Sequence, residues 1–137
     1  MVHNLGLRDV VDFAGAKDQK ELPHYYAVAD AVIVPSDYES FGMVALESMA
    51  SGTPVIASEV GGLAYLVREK ETGYLVPVRE PKVLAERIQS VLCDRTTSQK
   101  MGRCASHVAK TYAWQNIANR LLAIFEDVVS KQATQRV

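Results

Sequence analysis

Two short apolar runs restrict what this chain can fold into. Ala31, Val32, Ile33 and Val34 form the first, followed by Pro35 and Ser36. Val55, Ile56 and Ala57 form the second, bracketed by Pro54 and Ser58. Neither alternates with polar residues, as a strand with one wet face does, so both read as strands covered on two faces, the kind that parallel sheets use. Between them residues 42–50 are helical in type, and Ser51, Gly52, Thr53 and Pro54 end that helix with small residues and a proline. Parallel strands joined by one helix need a crossover, which is right-handed in nearly all folds.

The flanking segments extend the pattern. Residues 8–15 alternate apolar and polar at first and stop at Gly15, which predicts a first strand running into a loop. Leu22, Tyr25, Tyr26 and Ala29 recur at helical spacing, with Pro23 in the first turn. Gly61 and Gly62 open a short helix over residues 63–67, Glu71, Thr72 and Gly73 make a turn, and Tyr74, Leu75 and Val76 a last strand. The remainder reads as three helices. Leu84, Ile88, Val91 and Leu92 stripe the first, residues 98–110 form the second, and the third carries Trp114, Ile117, Leu121, Leu122, Phe125 and Val128 on one face. Trp114 and Phe125 are expected to be core anchors. The predicted fold is α/β: a partial Rossmann-like domain with a parallel sheet of about four strands, flanking helices and a helical C-terminus.

At 137 residues the chain is expected to be a single domain, residues 1–137. Fifteen basic against sixteen acidic residues leave a net charge of −1, so no basic field holds nucleic acid. Charges break every apolar stretch well short of the ~18 residues of a membrane helix, and residues 1–8 lack the basic start and apolar run of a signal peptide. A cytoplasmic location is expected, with peripheral attachment of a full-length protein to a membrane left open. Cys93 and Cys104 lack zinc-site partners and are expected to be reduced and packed. His3, His24 and His107 are scattered and read as solvated or capping residues.

In parallel sheets ligands bind beyond the carboxyl ends of the strands, where loops lead into helix N-termini that favour anions. The loop over residues 35–42 ends in Gly42, and the loop over residues 58–62 ends in Gly61 and Gly62. A diphosphate could rest on the backbone N–H groups of Gly42, Met43 and Val44 without a lysine; glycines that merely open helices are the competing reading. Glu39 lies in the first loop, and Glu47 follows inside the helix one turn beyond Met43. Two carboxylates beside an anion-binding helix start fit a polyol, a sugar at one and a ribose at the other, although a solvated helix glutamate fits the same spacing.

The run Glu39, Ser40, Phe41, Gly42, Met43, Val44, Ala45, Leu46, Glu47 resembles the E-x7-E segment of group 1 (family 4) retaining glycosyltransferases. Residues 35–36 before it, 50–57 after it, and Val60, Gly61, Gly62, then Gly73, Tyr74, Leu75, Val76 resemble the family's neighbouring signatures, as do residues 11–15 and 26–30 upstream. Paired glycines followed by Ala64 and Tyr65 depart from the Pro-Glu the family often has there. The resemblance implies the GT-B fold and the C-terminal, nucleotide-sugar-binding domain in partial form. It implies that Glu39 is the catalytic residue and holds hydroxyls of the donor sugar, with the N–H groups of Phe41, Gly42 and Met43 nearby. It further implies that Met43 and Val44 meet the diphosphate, that Glu47 meets the ribose, and that Gly15 and Ala16 border the base. No metal or other cofactor is implied, in keeping with the absence of an Asp-x-Asp motif; the donor is a nucleotide-diphosphate sugar.

The same resemblance implies that the acceptor-binding N-terminal domain and a basic contact to the diphosphate lie outside these residues, leaving this chain without turnover on its own. On the family's sheet order, the predicted first strand would stand apart from the others. Either it moves beside residues 31–34, or a second copy covers the bared edge or face as a homodimer. A noncatalytic nucleotide-sugar-binding or dimerisation module is the rival reading. A receiver domain is set aside because Pro35 and Ser36, not aspartate, follow residues 31–34.

Overall fold

The computed structural model describes residues 1–134, with side chains through residue 131. Its sheet consists of β1 (Val32–Val34), β2 (Val55–Ser58) and β3 (Gly73–Val76), adjacent in that order and all parallel. Val32 stands opposite Val55, Val34 opposite Ala57, and Ile56 opposite Tyr74. The helices are α1 (Leu22–Val28), α2 (Met43–Ala50), α3 (Gly61–Leu66), α4 (Pro81–Cys93), α5 (Arg95–Lys110) and α6 (Trp114–Thr134). The expectation of helix at the end of the chain lies, for residues 135–137, outside the described residues.

Strand alternation sorts the core into two layers. Val34, Val55, Ala57 and half-buried Leu75 face α2, α3 and α5, where Ala45, Met49, Leu63, Leu66, Ala105 and Val108 meet them. Ile56, Val76 and half-buried Ile33 face the other way, against Val91, Leu84 and Ile88 of α4. The central strand is therefore covered on both sides, which is why its sequence is apolar without a break. Met49, Val55, Ile56 and Leu63 are fully buried, each contributing about 1.5–3 kcal/mol of transfer free energy. α5 reaches α2 at a glycine contact: a β-carbon at residue 102 would run into the Gly52 carbonyl.

Three expectations need correction. Residues 8–15 do not form a strand: residues 8–10 are turns, and residues 11–18 have no regular structure. Val10 is 75% and Phe13 78% exposed, and apolar–polar alternation makes a strand only where a neighbour supplies ladder hydrogen bonds and a face to bury. The segment does not move beside β1, and the sheet has three contiguous strands with no gap. Next, the stripe on α6 is not core: Trp114 is 85% and Phe125 61% exposed, and only Ile117 is half-buried among its large apolar residues. Helical spacing reports that a face is apolar, not what covers it. Finally, Cys93 and Cys104 are free thiols as expected, but both are exposed rather than packed.

Candidate functional site

β1 delivers the chain to the carboxyl edge of the sheet, and residues 35–42 turn it back into α2. Gly42 makes that turn with φ +96°, the left-handed region, and a β-carbon there would press on Leu63 Cδ2 at 2.7 Å. The backbone conformation favours glycine, while the space contact is with the end of a side chain. The Phe41 ring lies edge-on to Tyr112, with centroids 6.0 Å apart, which fixes the outer side of the turn. Gly62 donates its N–H to the Glu39 carbonyl at 3.1 Å, so the start of α3 is fastened to the same loop.

Glu39 folds its side chain over the amino end of α2. Its Oε1 accepts the N–H of Gly42 at 3.2 Å and of Phe41 at 3.4 Å. Both bonds are longer than the usual 2.9–3.0 Å for N–H···O, and a carboxylate there is favoured by the helix dipole. The first-turn amides of Met43 and Val44 precede any intrahelical acceptor, and both residues are exposed. The expected group of Glu39, Phe41, Gly42, Met43 and Val44 is therefore together at one helix start.

Glu47 lies one turn further on, below Met43 on the same side of α2, and is half-buried. Its Oε2 accepts the hydroxyl of Tyr26 from α1 at 3.0 Å. Burial, and then the hydrogen bond and negative charge of Glu47, push the Tyr26 phenol above its ordinary pKa, so it remains a donor throughout the neutral range. Thr53 Oγ1 donates to the Tyr26 carbonyl at 2.6 Å and pins the α1 backbone to the segment leading into β2. Tyr26, Glu47, Gln19 and Ser51 line one hollow between α1 and α2. Gly15 and Ala16 are exposed, Gly15 with φ +67°, and they make no hydrogen bond to the α2 loop among the described residues.

Sequence reasoning missed Tyr26, which reads there only as part of an apolar stripe; no spacing rule links it to a glutamate in another helix. It also missed an ion pair across the strand ends, Arg79 Nη2 to Asp37 Oδ2 at 2.8 Å, which joins the loops after β1 and β3. The guanidinium beside Asp37 holds that carboxyl below the usual range. Beneath this pair a hollow of about 200 Å³ is lined by Pro35, Ser58, Pro77 and Leu84. Among the described residues no group of three or more His, Cys, Asp or Glu is placed to hold a metal ion.

Parallel strands with helices on both faces, and a helix start opening at their carboxyl edge beside two carboxylates, make this a Rossmann-like α/β domain. The family model for glycosyl transferases group 1 matches residues 1–108, and the chain belongs to that family. A D-inositol 3-phosphate glycosyltransferase of Corynebacterium glutamicum is 40% identical over 132 residues, 96% of this chain and 32% of that protein. Among solved structures, the sucrose-phosphate synthase of Thermosynechococcus elongatus superposes with TM-score 0.86 at 39% identity, over 95% of this chain and 33% of its own. Anabaena HepE, solved in complex with UDP, superposes with TM-score 0.79 at 29% identity, over 89% of this chain and 35% of its own. These neighbours are GT-B glycosyltransferases, and the chain spans about a third of the length of the relatives it matches. Among the described residues no helix is long and apolar enough to cross a membrane.

Proposed function

We propose that this chain is the donor-binding part of a retaining glycosyltransferase and holds a nucleotide-diphosphate sugar at the start of α2. In this reading the Met43 and Val44 amides take the diphosphate, Glu39 takes hydroxyls of the sugar, Glu47 takes the ribose, and Gly15 and Ala16 border the base. The observation that carries it is the joint placement of Glu39 and Glu47 about one exposed helix N-terminus. The UDP seen with HepE, and the UDP-glucose bound to the same protein in another structure, support this choice of ligand class.

The reaction joins the anomeric carbon to an acceptor oxygen as its bond to the diphosphate breaks. The acceptor attacks from the side of the leaving group, so the anomeric configuration is unchanged, and the departing diphosphate takes up the acceptor's proton. Main-chain N–H groups, already oriented, stabilise the charge that collects on the departing diphosphate; the reading calls on no metal. Acceptor positioning belongs to an N-terminal domain and a further cationic contact to an earlier part of the donor-binding domain, both outside these residues, so this chain alone is proposed to bind donor without turning it over.

Calorimetric titration tests the reading. UDP and UDP-glucose should both bind, Glu47→Ala should weaken both by tenfold or more, and Glu39→Ala should weaken UDP-glucose much more than UDP. Wild-type protein that ignores both ligands would exclude a donor site. One observation favours a second reading, an assembly module: the exposed apolar face of α6, from Leu121 to Val129.

A further inference from the structure

We infer that Tyr26 is a positioning residue that sets the plane of the Glu47 carboxylate, and with it the preference of this site for ribonucleotides over 2′-deoxyribonucleotides. The inference rests on the donor reading above, in which Glu47 faces the ribose, and adds to it a residue from a different helix.

A carboxylate on a helix has two soft torsions beyond χ1, and in water it exchanges oxygens freely. Here one oxygen is engaged. The Tyr26 hydroxyl donates to Oε2 at 3.0 Å, while Oε1 has no partner among the described residues. The donor is itself held: its backbone carbonyl accepts the Thr53 hydroxyl at 2.6 Å, and Thr53, buried at 3% exposure, sits where the chain enters β2. A rigid path thus runs from the sheet through Thr53 and Tyr26 to Glu47.

Fixing the plane has a chemical consequence. An ionised carboxylate only accepts, so with Oε2 partly spent on the phenol, Oε1 and the remaining Oε2 lone pair present one fixed edge to the ligand. Vicinal ribose hydroxyls can donate to both oxygens of such an edge; a 2′-deoxyribose offers only one donor. Hydrogen bonds to charged groups are the strong ones, so losing one costs affinity that a carboxylate free to reorient partly recovers. Tyr26 therefore acts on discrimination more than on total affinity. The raised phenol pKa agrees with this role, because the donor hydrogen is retained wherever the protein is folded and neutral.

The test is titration of UDP and 2′-deoxy-UDP into wild type, Tyr26→Phe, Glu47→Ala and the double variant. Wild type should prefer UDP by about tenfold. Tyr26→Phe should cut that preference to about threefold or less, mainly because 2′-deoxy-UDP regains affinity, and should add nothing in the Glu47→Ala background. A phenylalanine variant that keeps the full preference, or that weakens both ligands equally and does so without Glu47 as well, overturns the inference and leaves the donor reading intact. Glu47→Ala with unchanged UDP affinity, or wild type that binds neither ligand, overturns the donor reading and the inference together. A readout needing no Tyr26 variant is ¹³Cζ-tyrosine NMR of the wild type. The Tyr26 resonance should move more on saturation with UDP than with 2′-deoxy-UDP, and an equal response to both overturns the inference.

Discussion

The Glu39 carbonyl and the Gly62 amide, 3.1 Å apart, join the loop after β1 to the start of α3. No side chain fits between these segments. A β-carbon at residue 62 would stand 2.6 Å from the Ser40 carbonyl, and one at residue 61, where φ is +43°, would run into the Glu39 carbonyl itself. The obstacles are backbone and cannot rotate aside. Gly62→Ala and Gly61→Ala should each lower unfolding free energy by about 1–3 kcal/mol or more, read from urea denaturation. Gly15 supplies the contrast: φ is +67° but nothing lies within 4 Å of its β-carbon position, so Gly15→Ala should cost only the left-handed strain, about 1–2 kcal/mol. An unchanged midpoint for Gly62→Ala would show that the loops are not tied.

Much of this arrangement is legible in the sequence because it rests on local signals. Residues 31–34 and 55–58 are uniformly apolar or small, which marks β1 and β2 as strands buried on both faces, and Gly42, Gly61 and Gly62 announce helix starts, the first two with left-handed backbone and the third with no room for a β-carbon. Glu39 and Glu47 come together for the same reason, since they share one loop and one helix. What fails to read is non-local. Residues 8–15 have a strand's alternation but no ladder neighbour, α6 has a core-like stripe with nothing over it, and the Tyr26–Glu47 bond joins two helices through tertiary packing alone.

Asp94 gives a pH dependence with a definite sign. It caps α5, accepting the Thr97 N–H at 3.0 Å and the Thr97 hydroxyl at 2.7 Å, and the backbone bond to Thr97 leads the causes that hold its carboxyl below the usual range. A carboxyl lowered on folding contributes its full stability above the unfolded value of about 3.9, and the contribution fades as pH falls through the lower folded value. Asp94→Ala should therefore melt below wild type at pH 6, with the two curves converging toward pH 2. Asp94→Asn, which retains a capping oxygen, should fall between them. Identical melting temperatures at pH 6 would rule the cap out as a contributor.

Met49 carries the layer between α2 and the sheet, where it is fully buried beside Val55 and Leu63. Truncation to alanine removes the buried thioether chain and leaves a cavity, an expected loss of about 2–5 kcal/mol. Leucine, of similar volume, should cost under about 1.5 kcal/mol. Chemical denaturation of both variants measures the difference, and equal losses would mean that the site collapses around either residue.

The apolar face of α6 should behave as surface in this chain. Leu121 is 48%, Phe125 61% and Val129 66% exposed. Phe125→Lys is therefore expected to move the unfolding free energy by no more than about 0.5 kcal/mol. If the face serves assembly, wild type should gain mass with concentration in sedimentation velocity and Phe125→Lys should not. A large loss of stability in the variant would show instead that the face is covered within the monomer.

Gly42 separates stability from ligand binding. Its φ of +96° costs an alanine about 1–2 kcal/mol of strain, whereas the nearest atom to the added β-carbon, Leu63 Cδ2 at 2.7 Å, is the end of a side chain that can turn aside. The fold should therefore survive Gly42→Ala, with a modest fall in melting temperature. The helix start should not survive unchanged, because relieving the strain rotates the peptide that carries the Gly42 and Met43 amides, and hydrogen bonds weaken steeply with angle. UDP affinity should fall at least tenfold in a variant that remains folded by circular dichroism at the titration temperature. Undiminished UDP binding by folded Gly42→Ala would remove the α2 amides from the diphosphate contact, whatever Glu39 and Glu47 do.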